Sequence, residues 1–166
     1  MGETMLNNKM MQLILSLFMA LGLSTVVQAG GHSGGYGKQS IAYHVNYDDA
    51  KRQAGALRNI QNHINAVGAE NMDLRVIMHG KGLSMLLLSD EARHTKLPRG
   101  NADEQQQAKI DNLKSQGVAF KVCANTLKGK KISLDQLHDA QQSDVVPSGV
   151  AEVAHLQDKG FSYLRP

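Results

Sequence analysis

SIAYHVNYDDAKRQAGALRNIQNHINAVGAENMDLRVIMHG, residues 40–80, decides the fold. SIAYHVNY is a β-branched and aromatic run without charge, as a strand buried on both faces requires. Asp48 and Asp49 follow as candidate helix caps. Ala50, Ala54, Leu57, Ile60, Ile64 and Val67 then recur every three or four residues, which predicts one apolar helical stripe. Gly68 stands where a left-handed stop is needed, and MDLRVIMHG reads as a second strand. A strand, a helix and a strand in succession imply a right-handed parallel crossover.

The pattern continues toward the C-terminus. Leu83 to Leu88 has the character of a short helix, and EARHTKLPRGNAD, residues 91–103, reads as a long surface loop. A helix is predicted over 104–116, with Ile110 and Leu113 inward and Gly117 as its stop. VAFKVC (118–123) is a third strand, NTLKGKKISLDQLHD a loop with a turn or two of helix, and DVVP a short fourth strand. Ser148 caps a last helix that places Val150, Val153 and Ala154 on one face, and FSYLR closes the chain as a fifth strand. Alternating strands and helices predict one three-layer α/β domain, with a mostly parallel five-stranded sheet covered by helices on both faces.

Upstream of the domain, Lys9 precedes MMQLILSLFMALGLSTVV, and Val27-Gln28-Ala29 offers small residues for cleavage. Residues 1–29 are therefore expected to be a secretory signal peptide, the competing reading being an uncleaved membrane anchor. GGHSGGYGK opens a flexible glycine-rich linker over 30–39, and the domain occupies 40–166. Export places the protein in the periplasm, touching a membrane only through an uncleaved leader. Five of the eight methionines lie in the leader, which removes the case for a methionine-rich copper protein. The net charge of +3 is small, and nucleic acid is not an expected partner. No CxxC, CxxCH, P-loop or GxGxxG pattern occurs, so zinc-ribbon, c-haem and common nucleotide-binding readings lose their main support.

Open parallel sheets bind and react beyond the carboxyl ends of their strands. On this reading strand one delivers His44 and Asn46, strand two His79, strand three Cys123 followed by Asn125, and strand four Ser148 and Gly149. Cys123 is the chain's single cysteine. A thiol reacts as thiolate, which helix amino termini and cations favour. A helical turn beginning near Asn125 or Thr126, with Lys121, Lys128, Lys130 and Lys131 nearby, supplies both. Two readings of Cys123 stand side by side: a nucleophile, and a small hydrophobe packed in the core. His44 and His79 are candidate acid–base partners or, with Cys123, ligands of copper or zinc. Ser148-Gly149 at a helix start can hold an anion or simply cap. His63 lies off the core stripe and is expected to face solvent.

At YHVNYDD, ALRNIQNHINAVG, VIMHGKG, VAFKVCANTL and DVVPSGVAEVAHLQDKGFSYL the chain resembles the DsrE/DsrF-like family, the YchN-like α/β fold that includes sulfur-relay proteins, and its exported branch most of all. The resemblance implies a flavodoxin-like sheet and assembly into homo-trimers or hexamers. It also implies that Cys123 carries persulfide sulfur between donor and acceptor proteins or small sulfur anions. Lys128 and Lys130 are the counterparts of the family's basic residues near that cysteine. The leading expectation is a periplasmic sulfur carrier or sulfurtransferase without metal or cofactor. Cys123, His44 and His79 would be catalytic, with Asn46, Asn125, Lys128, Lys130, Ser148 and Gly149 binding substrate. The alternatives are an oligomeric binding or assembly module with a structural cysteine, and a Cys/His metal protein.

Overall fold

The computed structural model describes residues 35–166. The expected signal peptide and the first half of the expected linker, residues 30–34, lie outside the described residues. Five strands form one sheet: β1 (Gln39–Val45), β2 (Met72–Met78), β3 (Ala119–Cys123), β4 (Val145–Val146) and β5 (Ser162–Leu164). Their order is β4-β3-β2-β1-β5 and every pairing is parallel. Among the described residues four α-helices accompany them: α1 (Ala50–Val67), α2 (Glu104–Ser115), α3 (Ala124–Lys130) and α4 (Gly149–Asp158). No helix of the described residues is long and apolar enough to cross a membrane.

Alternation along β1 sorts its side chains between two unequal cores. Ile41, Tyr43 and Val45 join Leu57, Ile60 and Ile64 of α1, Ile110 and Leu113 of α2, and Phe120 and Val122 of β3 in the main core. Ala42 points the other way, into a small cluster with Ile77, Leu156, Phe161 and, at its margin, Val153. The second face is thus covered by α4. The asymmetry follows from topology: connections that step from β1 to β4 place their helices on one face, and the return to β5 places α4 on the other.

Asp49, rather than Asp48, caps α1 by accepting from the Arg52 amide at 2.7 Å. Asp103 caps α2 through the Gln106 amide at 2.8 Å. The buried stripe of α1 is Gln53, Ala56, Leu57, Ile60, Ile64 and Val67, whereas Ala50 is exposed in the first turn. Gln53 had been hidden by its polarity. Its amide donates to Tyr47 O at 2.7 Å and Ser84 Oγ at 2.9 Å, and its Oε1 accepts from Asn101 at 2.8 Å. A buried amide is tolerated when its partners are all present, and this one ties the end of β1 to two later loops.

Other expectations shift as well. Residues Gly80–Met85 form a 3-10 helix, starting before the short helix expected at Leu83. The loop 91–103 anchors itself through buried Leu97 and Ala102. In α4, Leu156 is buried while Val150 is 65% exposed and Ala154 is exposed, so the inward face is Gly149, Val153 and Leu156. His63 does not face solvent freely. Its Nδ1 meets Tyr43 Oη at 2.9 Å and its Nε2 meets Gln39 Oε1 at 2.8 Å.

Candidate functional site

β3 ends at Cys123, which is also the residue that precedes the first turn of α3. The thiol is buried, at 4% exposure, and carries no disulfide. Burial pushes its pKa up. Hydrogen bonds from the Thr126 hydroxyl and from the backbone N–H groups of Gly149, Thr126 and Asn125 outweigh that effect and hold the thiol below its ordinary value. Thr126 is oriented for this task, because its Oγ1 accepts the Gly80 amide at 2.8 Å, leaving its proton for sulfur. Two helix starts, those of α3 and α4, thus converge on one sulfur atom.

The expected cationic help is absent from this arrangement. Lys128 and Lys130 lie in the last turn of α3, at the end opposite Cys123. Lys121 reaches Ser143 O at 3.2 Å and Asp144 at 3.9 Å. Backbone and hydroxyl donors, not lysines, set the ionisation of the thiol. Asn125 contributes through its amide N–H, its side chain lying at the exposed surface.

Gly149 explains how close the elements come. A Cβ there would stand 2.8 Å from His79 Cβ and 3.3 Å from Cys123 Cβ, so only hydrogen fits between them. Ser148 caps α4 by accepting from Ala151 N at 3.4 Å, which aims the Gly149 amide at sulfur. Gly82 plays a similar part at the end of β1. A Cβ there would meet Val45 O at 2.0 Å, and the missing side chain lets the turn after His79 lie flat on that strand.

His79 Nε2 meets His44 Nε2 at 2.7 Å, and His44 Nδ1 meets Tyr163 Oη at 2.8 Å. Burial, His79 and Arg165 together lower the His44 pKa to about 4, and burial lowers that of His79. Both rings are therefore neutral at neutral pH, and the chain Tyr163–His44–His79 can be satisfied with its hydrogen bonds running in either direction. Asn46, just past the end of β1, accepts from Arg165 at 2.8 and 3.1 Å.

Of the residues expected at this edge, His44, His79, Cys123 and Gly149 are brought together. Ser148 and Asn125 serve through capping and backbone, and Asn46 lies beyond His44. Thr126, Tyr163 and Arg165 were missed. Thr126, three residues after Cys123, has the spacing of a capping pair and was the one legible signal. Tyr163 and Arg165 depend on the register of β5, which a three-residue strand does not announce. Among the described residues no group of three or more His, Cys, Asp or Glu side chains stands ready to hold a metal ion. A groove of about 240 Å³ between α1 and α2, lined by Arg58, Gln61, Lys109 and Asn112, includes none of these site residues.

The site therefore lies at the carboxyl edge of a parallel α/β sheet, where such folds hold their reacting groups. The chain belongs to the DsrE/DsrF-like family, which matches residues 39–166. Membership suggests a sulfur-relay-related role. Its fold is similar to that of a protein of unknown function, MTH1491, from Methanobacterium thermoautotrophicum, with 25% identity and a TM-score of 0.61. That match covers 78% of this chain and 100% of the other. No curated protein matches the chain.

Proposed function

We propose that the protein is a periplasmic sulfur carrier in which Cys123 holds sulfane sulfur as a persulfide. The observation that carries this reading is the placement of Cys123 between the end of β3 and the start of α3, with Gly149 at the start of α4 and His79 packed against it. The hydrogen-bond donors around the sulfur favour a thiolate at Cys123, the form that attacks a sulfane donor. With thiosulfate as donor, the Cys123 thiolate attacks the sulfane sulfur. The sulfur–sulfur bond to the sulfonate breaks and its electron pair leaves with sulfite, giving Cys123–S–S⁻. Attack by an acceptor thiolate on the outer sulfur reverses the exchange and restores Cys123. His79, packed beside Cys123 across Gly149, is placed to supply or remove the proton of a leaving thiol, with His44 and Tyr163 behind it.

The test is intact-mass and peptide mapping after incubation with thiosulfate or polysulfide. One added sulfur atom on Cys123, absent from Cys123→Ser, supports the reading, and an unmodified thiol in folded protein overturns it.

The 4% exposure of Cys123 favours a second reading, an assembly module in which the thiol is packing. Alkylation of the native protein no faster than that of a buried structural cysteine would support it. We further propose a homo-oligomer, trimeric or hexameric, in which exposed Val150, Tyr163 and Leu164 are covered. Sedimentation at micromolar protein tests that. Export is tested by fractionation and by sequencing the mature amino terminus.

A further inference from the structure

The functional side chains form a line across the carboxyl edge of the sheet. Cys123 ends β3, His79 follows β2, His44 and Asn46 lie at the end of β1, and Arg165 follows β5. Neighbouring strands are ~4.8 Å apart, so β3 and β5 are separated by roughly 14 Å. The line begins at a nucleophile and ends at a cation.

Arg165 is held rather than loose. Its Nε and Nη2 both donate to Asn46 Oδ1, at 3.1 and 2.8 Å, and its guanidinium lies 6.0 Å from the centre of the Tyr47 ring. Arg52 stacks on the same ring at 3.8 Å. No carboxylate among the described residues lies within ion-pair distance of Arg165. The acids nearest in sequence to Asn46 are occupied: Asp48 stands 3.8 Å from Lys81, and Asp49 caps α1. The positive charge of Arg165 is felt at His44, whose protonation it disfavours. A guanidinium fixed by a neutral amide, with one nitrogen spare and no acidic partner, is a receptor for an external carboxylate.

The distance selects the ligand. In thiosulfate the charged oxygens sit one bond from the sulfur that bears the sulfane, too close to reach Cys123 and Arg165 together. A peptide of two or three residues spans ~10 Å when extended. Resting on the sulfur-carrier reading, we propose that the donor is a short peptide thiol persulfide, whose terminal carboxylate is bound by Arg165 while its sulfane sulfur meets Cys123. The exchange is balanced without a further reactant. The Cys123 thiolate bonds to the terminal sulfur of R–S–SH, the R–S bond to that sulfur breaks with its electron pair, and the products are Cys123–S–SH and R–S⁻. The proton of Cys123–S–SH, the more acidic of the two sulfur groups, then passes to R–S⁻, with neutral His79 placed to accept it from one and hand it to the other.

Two measurements test the assignment. The first compares rates of Cys123 persulfidation by glutathione persulfide, its diethyl ester and thiosulfate. Arg165→Gln should slow glutathione persulfide about tenfold, the usual worth of a hydrogen bond to a charged group. It should leave the ester and thiosulfate within about twofold, the scale of a screened surface charge. Arg165→Lys should retain part of the effect, since charge survives without the fork. Equal slowing of all three donors, or of none, overturns the proposal. The second measures S-methylglutathione binding to Cys123→Ser protein by calorimetry, with and without Arg165→Gln. Binding that needs Arg165, with no sulfur moved by any donor, sustains the ligand site and sinks the carrier reading. No binding in either variant sinks the ligand site alone.

Discussion

The Nε2 atoms of His44 and His79 stand 2.7 Å apart, so one ring must donate while the other accepts. Two imidazolium rings cannot share that contact. Burial, His79 and Arg165 lower the His44 pKa from 6.5 to about 4. The folded protein therefore binds fewer protons than the unfolded chain between those values, and stability rises with pH across that window. Read downward, stability is lost as pH falls from 6.5 toward 4. Thermal melts at successive pH values should show this slope, and His44→Gln should flatten it. An unchanged slope in the variant would assign the acid sensitivity elsewhere, with His79 and His63 next in line, since burial lowers both.

Thr126 is the side-chain donor to Cys123, and valine copies its shape without the hydroxyl. Thr126→Val should raise the thiol pKa and lower the thiolate fraction at neutral pH. The readout is the pH profile of iodoacetamide alkylation. The Gly80 amide loses its acceptor in the same variant, which should cost roughly 1–3 kcal/mol of stability. A profile that does not move would remove Thr126 from the account of the sulfur.

Gly149→Ala should be damaging at the site. The added methyl would enter the 2.8 Å gap to His79 Cβ and the 3.3 Å gap to Cys123 Cβ, at a cost of about 1–3 kcal/mol. Alkylation of Cys123 should change with it, because the Gly149 amide must shift. Gly129→Ala is the control. Nothing lies within 4 Å of its Cβ, and denaturant midpoints should show it neutral or slightly stabilised.

Gln53→Met should lower stability by roughly 2 kcal/mol or more, since Tyr47 O, Ser84 and Asn101 each lose a partner inside the protein. Urea unfolding measures this directly. A loss no larger than that of a surface substitution would mean that water replaces the amide.

The alternation of strands and helices was legible because parallel strands buried on both sides must be continuously apolar, and because Asp48-Asp49 and Ser148 mark helix starts. The shared edge of His44, His79, Cys123 and Gly149 followed from topology. Arg165, Tyr163 and Thr126 did not, because register and rotamer decide them and neither is written in composition. Lys128 shows the opposite error. Five residues of helix carry it ~7.5 Å along the axis, away from the sulfur and toward the negative end of α3. Closeness in sequence was not closeness in space. Gln53 was hidden because polarity argues for the surface unless every partner is known.

The strand order has a consequence in time. Cys123 draws its donors from residues 125, 126 and 149, all within a short chain distance. Tyr163 meets His44 across 119 residues, through a strand added on the far side of β1. Loops that close over longer spans close later. On that order the contacts of Tyr163 with His44 and of Arg165 with Asn46 are expected to form last, so a chain halted before β5 docks would hold His44, His79 and Cys123 together without either of them.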